Sequence, residues 1–236
     1  MSTFLRTVDL CRYYRRGPQT VHALDGVNIE VQRGEYLALV GSSGSGKTTL
    51  LNLLAGLDSA TAGAVFLDES PMSAMSRRQL ASYRATRVGM IFQSFNLIPH
   101  YTALQNVETA LYFTTTSPKE RRSRALEMLE RLGLGERTTH RPADLSGGEQ
   151  QRVAVARAIV KNPEILFADE PTGILDYENA SGIADLIAGL NSGGLTVVMV
   201  THNQEMARAH AHRTLRMQYG RLLETAEPAP GKGGRS

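Results

Sequence analysis

Tyr36-Leu-Ala-Leu-Val-Gly41-Ser-Ser-Gly-Ser-Gly-Lys-Thr48-Thr-Leu-Leu-Asn-Leu-Leu-Ala55 decides the fold class of this chain. Its first five residues form a short apolar run, the pattern of a strand buried on both faces. From Lys47 onward the residues are strong helix formers, and Gly56 supplies the stop. Between them stand Gly41, Gly44 and Gly46, which let the backbone curl tightly and turn its N–H groups toward phosphate oxygens. Ser42, Ser43 and Ser45 fill out the loop. The helix start near Lys47 adds a positive dipole end. Lys47 brings a point charge for β- and γ-phosphates, and the Thr48 hydroxyl, followed by Thr49, is placed to ligate Mg²⁺. By average composition such a pattern arises by chance in about one chain of this length in a hundred. The strand before it and the helix after it make the coincidence rarer still.

Working outward, Phe4–Tyr14 and Val21–Val31 alternate apolar and polar residues around a Gly17-Pro18 break, which predicts two antiparallel strands. Further strands are expected at Ala64–Leu67, Val88–Phe92, Ile165–Ala168 and Thr196–Val200, with a last short pair around Gly220. Helices are expected at Ser76–Thr86, Leu104–Tyr112, Pro118–Leu132 and Tyr177–Leu190, Pro118 being tolerated in a first turn. Strands alternating with helices predict an α/β fold with a mainly parallel sheet. The expected division is a core of residues 1–93 and 154–224, an inserted α-helical subdomain of about 94–153, and a Pro/Gly-rich disordered tail at 225–236. The helix carrying Arg121, Arg122 and Arg124 also carries Glu120, Glu127 and Glu130, and reads as a solvated face with i,i+4 pairs.

Composition narrows the classes. With 236 residues the chain can bury a substantial core, and 42% hydrophobic with 21% charged residues is ordinary for a globular protein. A net charge of +3 does not mark a nucleic-acid binder. The single cysteine, Cys11, allows neither a disulfide framework nor a structural zinc site, and reads as a small semi-buried residue. No stretch reaches the roughly 18 apolar residues that cross a bilayer, and Met1-Ser-Thr-Phe-Leu-Arg lacks the apolar core of a signal peptide. A cytoplasmic protein is expected, with any membrane role exercised through a partner.

Two later segments add chemistry. Ile165-Leu-Phe-Ala-Asp169-Glu170 ends an apolar strand with two acids, and ligand sites in parallel sheets lie off the carboxyl ends of strands. Asp169 then suits the Mg²⁺ shell, and Glu170 suits a general base acting on the attacking water. Leu145-Ser-Gly-Gly-Glu-Gln150, followed by Gln151-Arg152 and a long helix to Lys161, places Ser146 before a helix, where an anion is bound favourably.

With these segments the chain resembles the nucleotide-binding domains of ATP-binding cassette (ABC) proteins, from about Leu5 to Glu224, and Leu145–Gln150 matches that family's signature segment. The resemblance implies a P-loop NTPase (RecA-like) core with an antiparallel β subdomain and the helical insertion. It implies an ATPase using ATP and Mg²⁺, in which two chains pack head to tail. Ser146, Gly147, Gly148 and Glu149 of one chain then cap the ATP held by the Lys47 loop of the other. Tyr14 resembles the aromatic that stacks on adenine, with Tyr13 as the fallback. Gln93 is similar to the glutamine that senses Mg²⁺ and the water, and His202 to the histidine that touches the γ-phosphate. Gly173-Ile-Leu-Asp176 sits where the family has an interface loop, and departs from the Gly-Asn-Leu-Asp usual among its nearest relatives by placing apolar Ile174 at the subunit contact.

Within the family the nearest resemblance is to stand-alone ATPase subunits of lipoprotein-release and macrolide-efflux systems. It is carried by Val21-His-Ala-Leu-Asp-Gly-Val27, Phe92-Gln-Ser-Phe-Asn-Leu-Ile-Pro99, Leu104-Gln-Asn-Val107 and Asp169-Glu-Pro-Thr-Gly173. Amino-acid importers and the cell-division ATPase share much of this, and Ala110-Leu-Tyr-Phe-Thr-Thr-Thr116 departs from the Leu-Pro-Leu-like run of the group. The resemblance implies integral membrane permease subunits as partners and a peripheral position on the inner face of the cell membrane. Phe95, Leu97 and Ile98 are either ordinary packing or a groove edge for the permease. Soluble family members acting on ribosomes or DNA usually carry two cassettes, long coiled coils or zinc modules, and a P-loop kinase or GTPase has no use for Leu145–Gln150.

Overall fold

The computed structural model describes residues 3–223; residue 224 and the expected tail at 225–236 lie outside the described residues. The chain forms two compact units, one from residues up to Ala74 together with those from Ala188 onward, the other Met75–Ile187.

The first unit opens with β1 (Thr3–Arg16), β2 (Gln19–Val27), β3 (Glu30–Gln32), β4 (Tyr36–Val40), α1 (Lys47–Leu54), β5 (Ala62–Leu67) and β6 (Ser70–Pro71). β1 is the organiser. Its second half pairs antiparallel with β2 and its first half with β3, while its other edge pairs with β5. The single strand expected over Val21–Val31 is therefore two strands. The break follows from a bulge at Asp9, whose φ of 46° turns β1 between its two sets of partners. Buried Thr7 stitches the break: its Oγ1 donates to the Val27 carbonyl at 2.8 Å and accepts from the Ile29 N–H at 3.0 Å.

The second unit holds α2 (Arg77–Thr86), β7 (Val88–Ile91), α3 (Ala103–Glu108), α4 (Pro118–Arg131), α5 (Gly147–Ile159), β8 (Ile165–Asp169) and the start of α6 (Tyr177–Ser192). β7 and β8 run parallel. Ser76 is the N-cap of α2 rather than its first residue, and the stretch expected as one helix to Tyr112 is α3 followed by a 3₁₀ turn at Thr109–Leu111. Arg124 and Glu120 form the expected i,i+4 pair on α4 at 2.6 Å.

The returning chain adds β9 (Thr196–Thr201), α7 (Gln204–His210), β10 (Arg213–Gln218) and β11 (Arg221–Leu223) to the first unit. There β10, β4 and β9 lie side by side in parallel, with β11 antiparallel on the edge of β10. β4 and β9 are buried along their whole length, which explains the apolar run Tyr36–Val40 and the apolar centre of β9 between its terminal threonines. Leu50, Leu51, Leu53 and Leu54 of α1 are buried too. Helix α7 has no counterpart in the expected elements, though Asn203 caps it by accepting from the Met206 N–H.

Strand β7, which leads into Gln93, packs against α5 through Gly89. A methyl group there would stand 2.8 Å from the Ala158 carbonyl oxygen and 3.0 Å from Leu166 Cδ1. Gly89→Ala is expected to lower stability by about 1–3 kcal/mol through overpacking. Urea denaturation checks this: the midpoint falls while the slope is unchanged.

Candidate functional site

The glycine loop of the first unit is shaped by backbone that comes too close for side chains. A Cβ on Gly41 would collide with the Met217 carbonyl, and one on Gly46 with the Ala23 carbonyl. Gly46 has φ 103° and Gly44 φ 76°, both open only to glycine at little cost. The loop is braced from below by the hairpin turn between β10 and β11. Tyr219 and Gly220 both have positive φ, as a two-residue primed turn requires, and the Gly220 N–H donates to the Ser45 carbonyl at 3.0 Å.

Lys47 is buried, and its Nζ donates to the carbonyls of Gly41 and Ser42 at 2.8 and 2.9 Å. The ammonium is thus held inside the loop while Ser42, Ser43, Gly44 and Thr48 face solvent. Helix α1 has no side-chain cap and no acid in its first turn. By contrast α2, α3, α4, α5 and α7 each start on a Ser, Thr or Asn whose side chain accepts a backbone N–H. A positive helix end, a fixed ammonium and the exposed Ser42–Gly44 backbone together suit a polyphosphate. Among the described residues the buried Ser45 Oγ of the same loop has no hydrogen-bond partner.

Two aromatic candidates lie on β1. Tyr14 donates its hydroxyl to Asp58 at 2.6 Å, and the Arg12 guanidinium covers its ring at 4.5 Å. Tyr13 stacks on His22 at 4.2 Å between centroids and donates to Asp25 at 3.2 Å. His202 is exposed directly after β9.

In the second unit Asp169 is the buried last residue of β8. Glu170 follows with φ 48°, a strained position of the kind that costs about 1–3 kcal/mol and gathers at functional sites. Its carbonyl accepts from the Gly173 N–H at 3.0 Å, closing a tight turn. A methyl on Gly173 would lie 3.6 Å from Glu170 Cβ and 3.8 Å from Gln93 Nε2. Gln93 and Glu170 therefore share one corner. Strand β7 ends at Ile91, so Phe92 separates Gln93 from it.

Helix α5 carries the signature segment at its N-terminus. Ser146 and Glu149 form a reciprocal cap: Ser146 Oγ accepts from the Glu149 N–H at 3.2 Å, and Glu149 Oε2 accepts from the Ser146 N–H at 2.8 Å. Ser146 and Gly147 remain exposed, whereas Gly148 is buried against the Asn179 amide and has no room for a Cβ. Asn179 in turn donates from its backbone and side chain to Asp176, which holds that carboxyl below its usual range. Ile174, the departure from the family pattern, is 54% exposed.

Several residues around these sites carried no sequence signal. Gln151 donates to the Pro171 carbonyl at 2.5 Å, and Arg157 reaches the loop after Gln93. Both partners are distant in sequence. The turn at Gly220 under the glycine loop was legible only as a hairpin. For α7 the signal was Asn203 followed by Gln-Glu.

Comparison with known proteins shows the family and the fold. Residues 24–173 match the ABC transporter family model. The chain is 44% identical over 217 residues to the lipoprotein-releasing system ATP-binding protein LolD of Pseudomonas syringae pv. tomato, spanning 92% of this chain and 95% of that one. It is 41% identical over 219 residues to the macrolide export ATP-binding/permease protein MacB of Brucella melitensis biotype 1, covering 93% of this chain but 34% of that protein. Among solved structures, the dimeric post-hydrolysis state of the ATP-binding cassette MJ0796 bound to ADP and Pi superposes with a TM-score of 0.87 at 40% identity, covering 96% of this chain and 99% of that one. Fold and site define a P-loop ATPase. The chain belongs to the ABC transporter family. Among the described residues no helix is long and apolar enough to cross a membrane.

The Ser146–Glu149 cap is expected to weaken in acid. An ion pair with Arg137, then the Ser146 N–H, hold the Glu149 carboxyl below its ordinary value. A depressed carboxyl contributes stability above the unfolded value of about 4.3 and loses it as pH falls through the folded value. Urea stability measured from pH 6 to 3 is expected to fall less steeply in Glu149→Gln than in the parent. Identical slopes would show that the pair contributes nothing.

Proposed function

We propose that this chain is the ATP-hydrolysing subunit of a membrane complex, working as a head-to-tail pair that closes on ATP and drives a separate permease. The observation that carries the reading is the uncapped start of α1, with buried Lys47 fixed on the carbonyls of Gly41 and Ser42. In this proposal residues 41–49 hold the phosphates, Tyr14 or Tyr13 stacks on adenine, and His202 meets the γ-phosphate. Thr48, Gln93 and Asp169 hold Mg²⁺, which supplies charge neutralisation on the phosphates when bound. Ser146–Glu149 of the second chain cap the same nucleotide. The exposure of Ser146 and Gly147 at a helix N-terminus supports that use.

Glu170 takes a proton from the attacking water, and Gln93, sharing its corner, orients that water. Such a reaction is mostly positioning and charge stabilisation, so the closed pair is the catalyst and opening follows hydrolysis. A core of residues 1–93 and 154–224 with a helical part at about 94–153 belongs to the same proposal. The names of LolD and MacB favour lipoprotein release or export as the work done. In this proposal the subunit is peripheral on the inner face of the cell membrane, and substrate choice is left to the permease.

Glu170→Gln is expected to lower turnover at least about a hundredfold while ATP binding is kept. Steady-state hydrolysis and nucleotide titration of the purified variant test it, and unchanged hydrolysis removes Glu170 from the role. In mixed pairs, Ser146→Arg in one chain is expected to disable the site built on the other chain's Lys47. Equal hydrolysis by dilute, isolated single chains would contradict the shared site.

A further inference from the structure

Helix α5 grips the loop after Gln93 from its far end. Arg157 Nη1 donates to the Asn96 carbonyl at 2.5 Å and Nη2 to the Phe95 carbonyl at 2.7 Å. Those two residues are consecutive and left-handed, with φ 53° and 49°, and the Asn96 N–H closes the turn onto the Ser94 carbonyl. An aromatic residue is strained in this region, and two adjacent carbonyls turned to one side need a donor that spans both. The planar guanidinium fork does so; an ammonium is a single point donor. Arg157 is half-buried and makes no ion pair among the described residues, so its charge is desolvated for these carbonyls alone.

The same loop passes near the other end of the helix. A methyl on Gly147 would lie 4.0 Å from Phe95 Cζ. Beyond the turn, buried Asn106 accepts from the Ile98 N–H at 2.7 Å and donates to its carbonyl at 3.2 Å. The loop is therefore clamped at Phe95-Asn96 by Arg157, fastened at Ile98 by Asn106, and neighboured at its ring by the signature segment. Midway along α5, Gln151 holds the Pro171 carbonyl next to Glu170.

We propose that Arg157 is a positioning residue for hydrolysis: by clamping the strained Phe95-Asn96 turn to the signature helix, it sets Gln93 and ties its placement to the seating of Ser146-Gly147 on the partner's nucleotide. The inference rests on the proposed role of Gln93. Helix α5 is the shared strut, about 16 Å from Ser146 to Arg157 at 1.5 Å per residue. Movement at its N-terminus is carried as a rigid body to the loop of its own chain.

The test is a double-mutant cycle of Arg157→Lys with Gln93→Ala in the full chain, with Arg157→Ala as a harsher companion if it folds. Arg157→Lys keeps the charge and the apolar stem, so its melting temperature is expected to stay within a few degrees. KM for ATP is expected to change less than about threefold, and kcat to fall about tenfold. If Arg157 acts through Gln93, the double variant is no slower than the slower single variant. Asn96→Gly, which takes the left-handed conformation without strain, is expected to restore kcat of Arg157→Lys several-fold. Parental kcat in a folded Arg157→Lys, losses that multiply in the double variant, or no rescue by Asn96→Gly each overturns the inference while leaving Gln93 in its role. Parental kcat in Gln93→Ala removes that role, and the inference falls with it.

Discussion

The absence of Cβ atoms at Gly41 and Gly46 is the constraint on which the nucleotide site depends. Backbone carbonyls of Met217 and Ala23 occupy the space that side chains would need. The loop is therefore packed backbone against backbone, and its shape is set before any ligand arrives. Lys47 completes it by satisfying two loop carbonyls, which keeps the ammonium at the mouth of α1 rather than in solvent. A preorganised cradle of this kind spends little binding energy on ordering itself.

A second constraint governs the second unit. Glu170, Phe95 and Asn96 all sit at positive φ, where side-chain-bearing residues are uncommon. Each is held by a neighbour: Glu170 by the turn to Gly173, Phe95 and Asn96 by Arg157. Helix α5 is common to these restraints, because Gln151 fastens the Pro171 loop and Gly148 seats Asn179. One helix thus presents the exposed Ser146-Gly147 pair and anchors the loops that follow Gln93 and Glu170. Rigid packing of this sort moves between discrete arrangements rather than deforming smoothly.

The sequence was most legible where burial is two-sided. Tyr36–Val40, Ile165–Asp169 and Thr196–Thr201 are strands with apolar centres, followed by Gly41, Glu170 and His202, and the motif residues could be placed from them. Ser146 was legible as a cap because its partner Glu149 is three residues on. What escaped was long-range. Nothing local announces that Arg157 would find carbonyls about sixty residues earlier, or that the turn at Gly220 would brace Ser45. The division of Val21–Val31 was hidden for a related reason. It depends on a bulge in β1, so its cause lies in a different strand.

The central claim is that two copies close over ATP, each supplying half of the other's site. Sedimentation velocity of the Glu170→Gln chain, with and without saturating ATP and Mg²⁺, measures it most directly. The account predicts the mass of one chain without nucleotide and of two chains with ATP, and a return to one chain when Ser146→Arg is added. A single-chain mass in saturating ATP, with bound nucleotide demonstrated on the same sample, would contradict it.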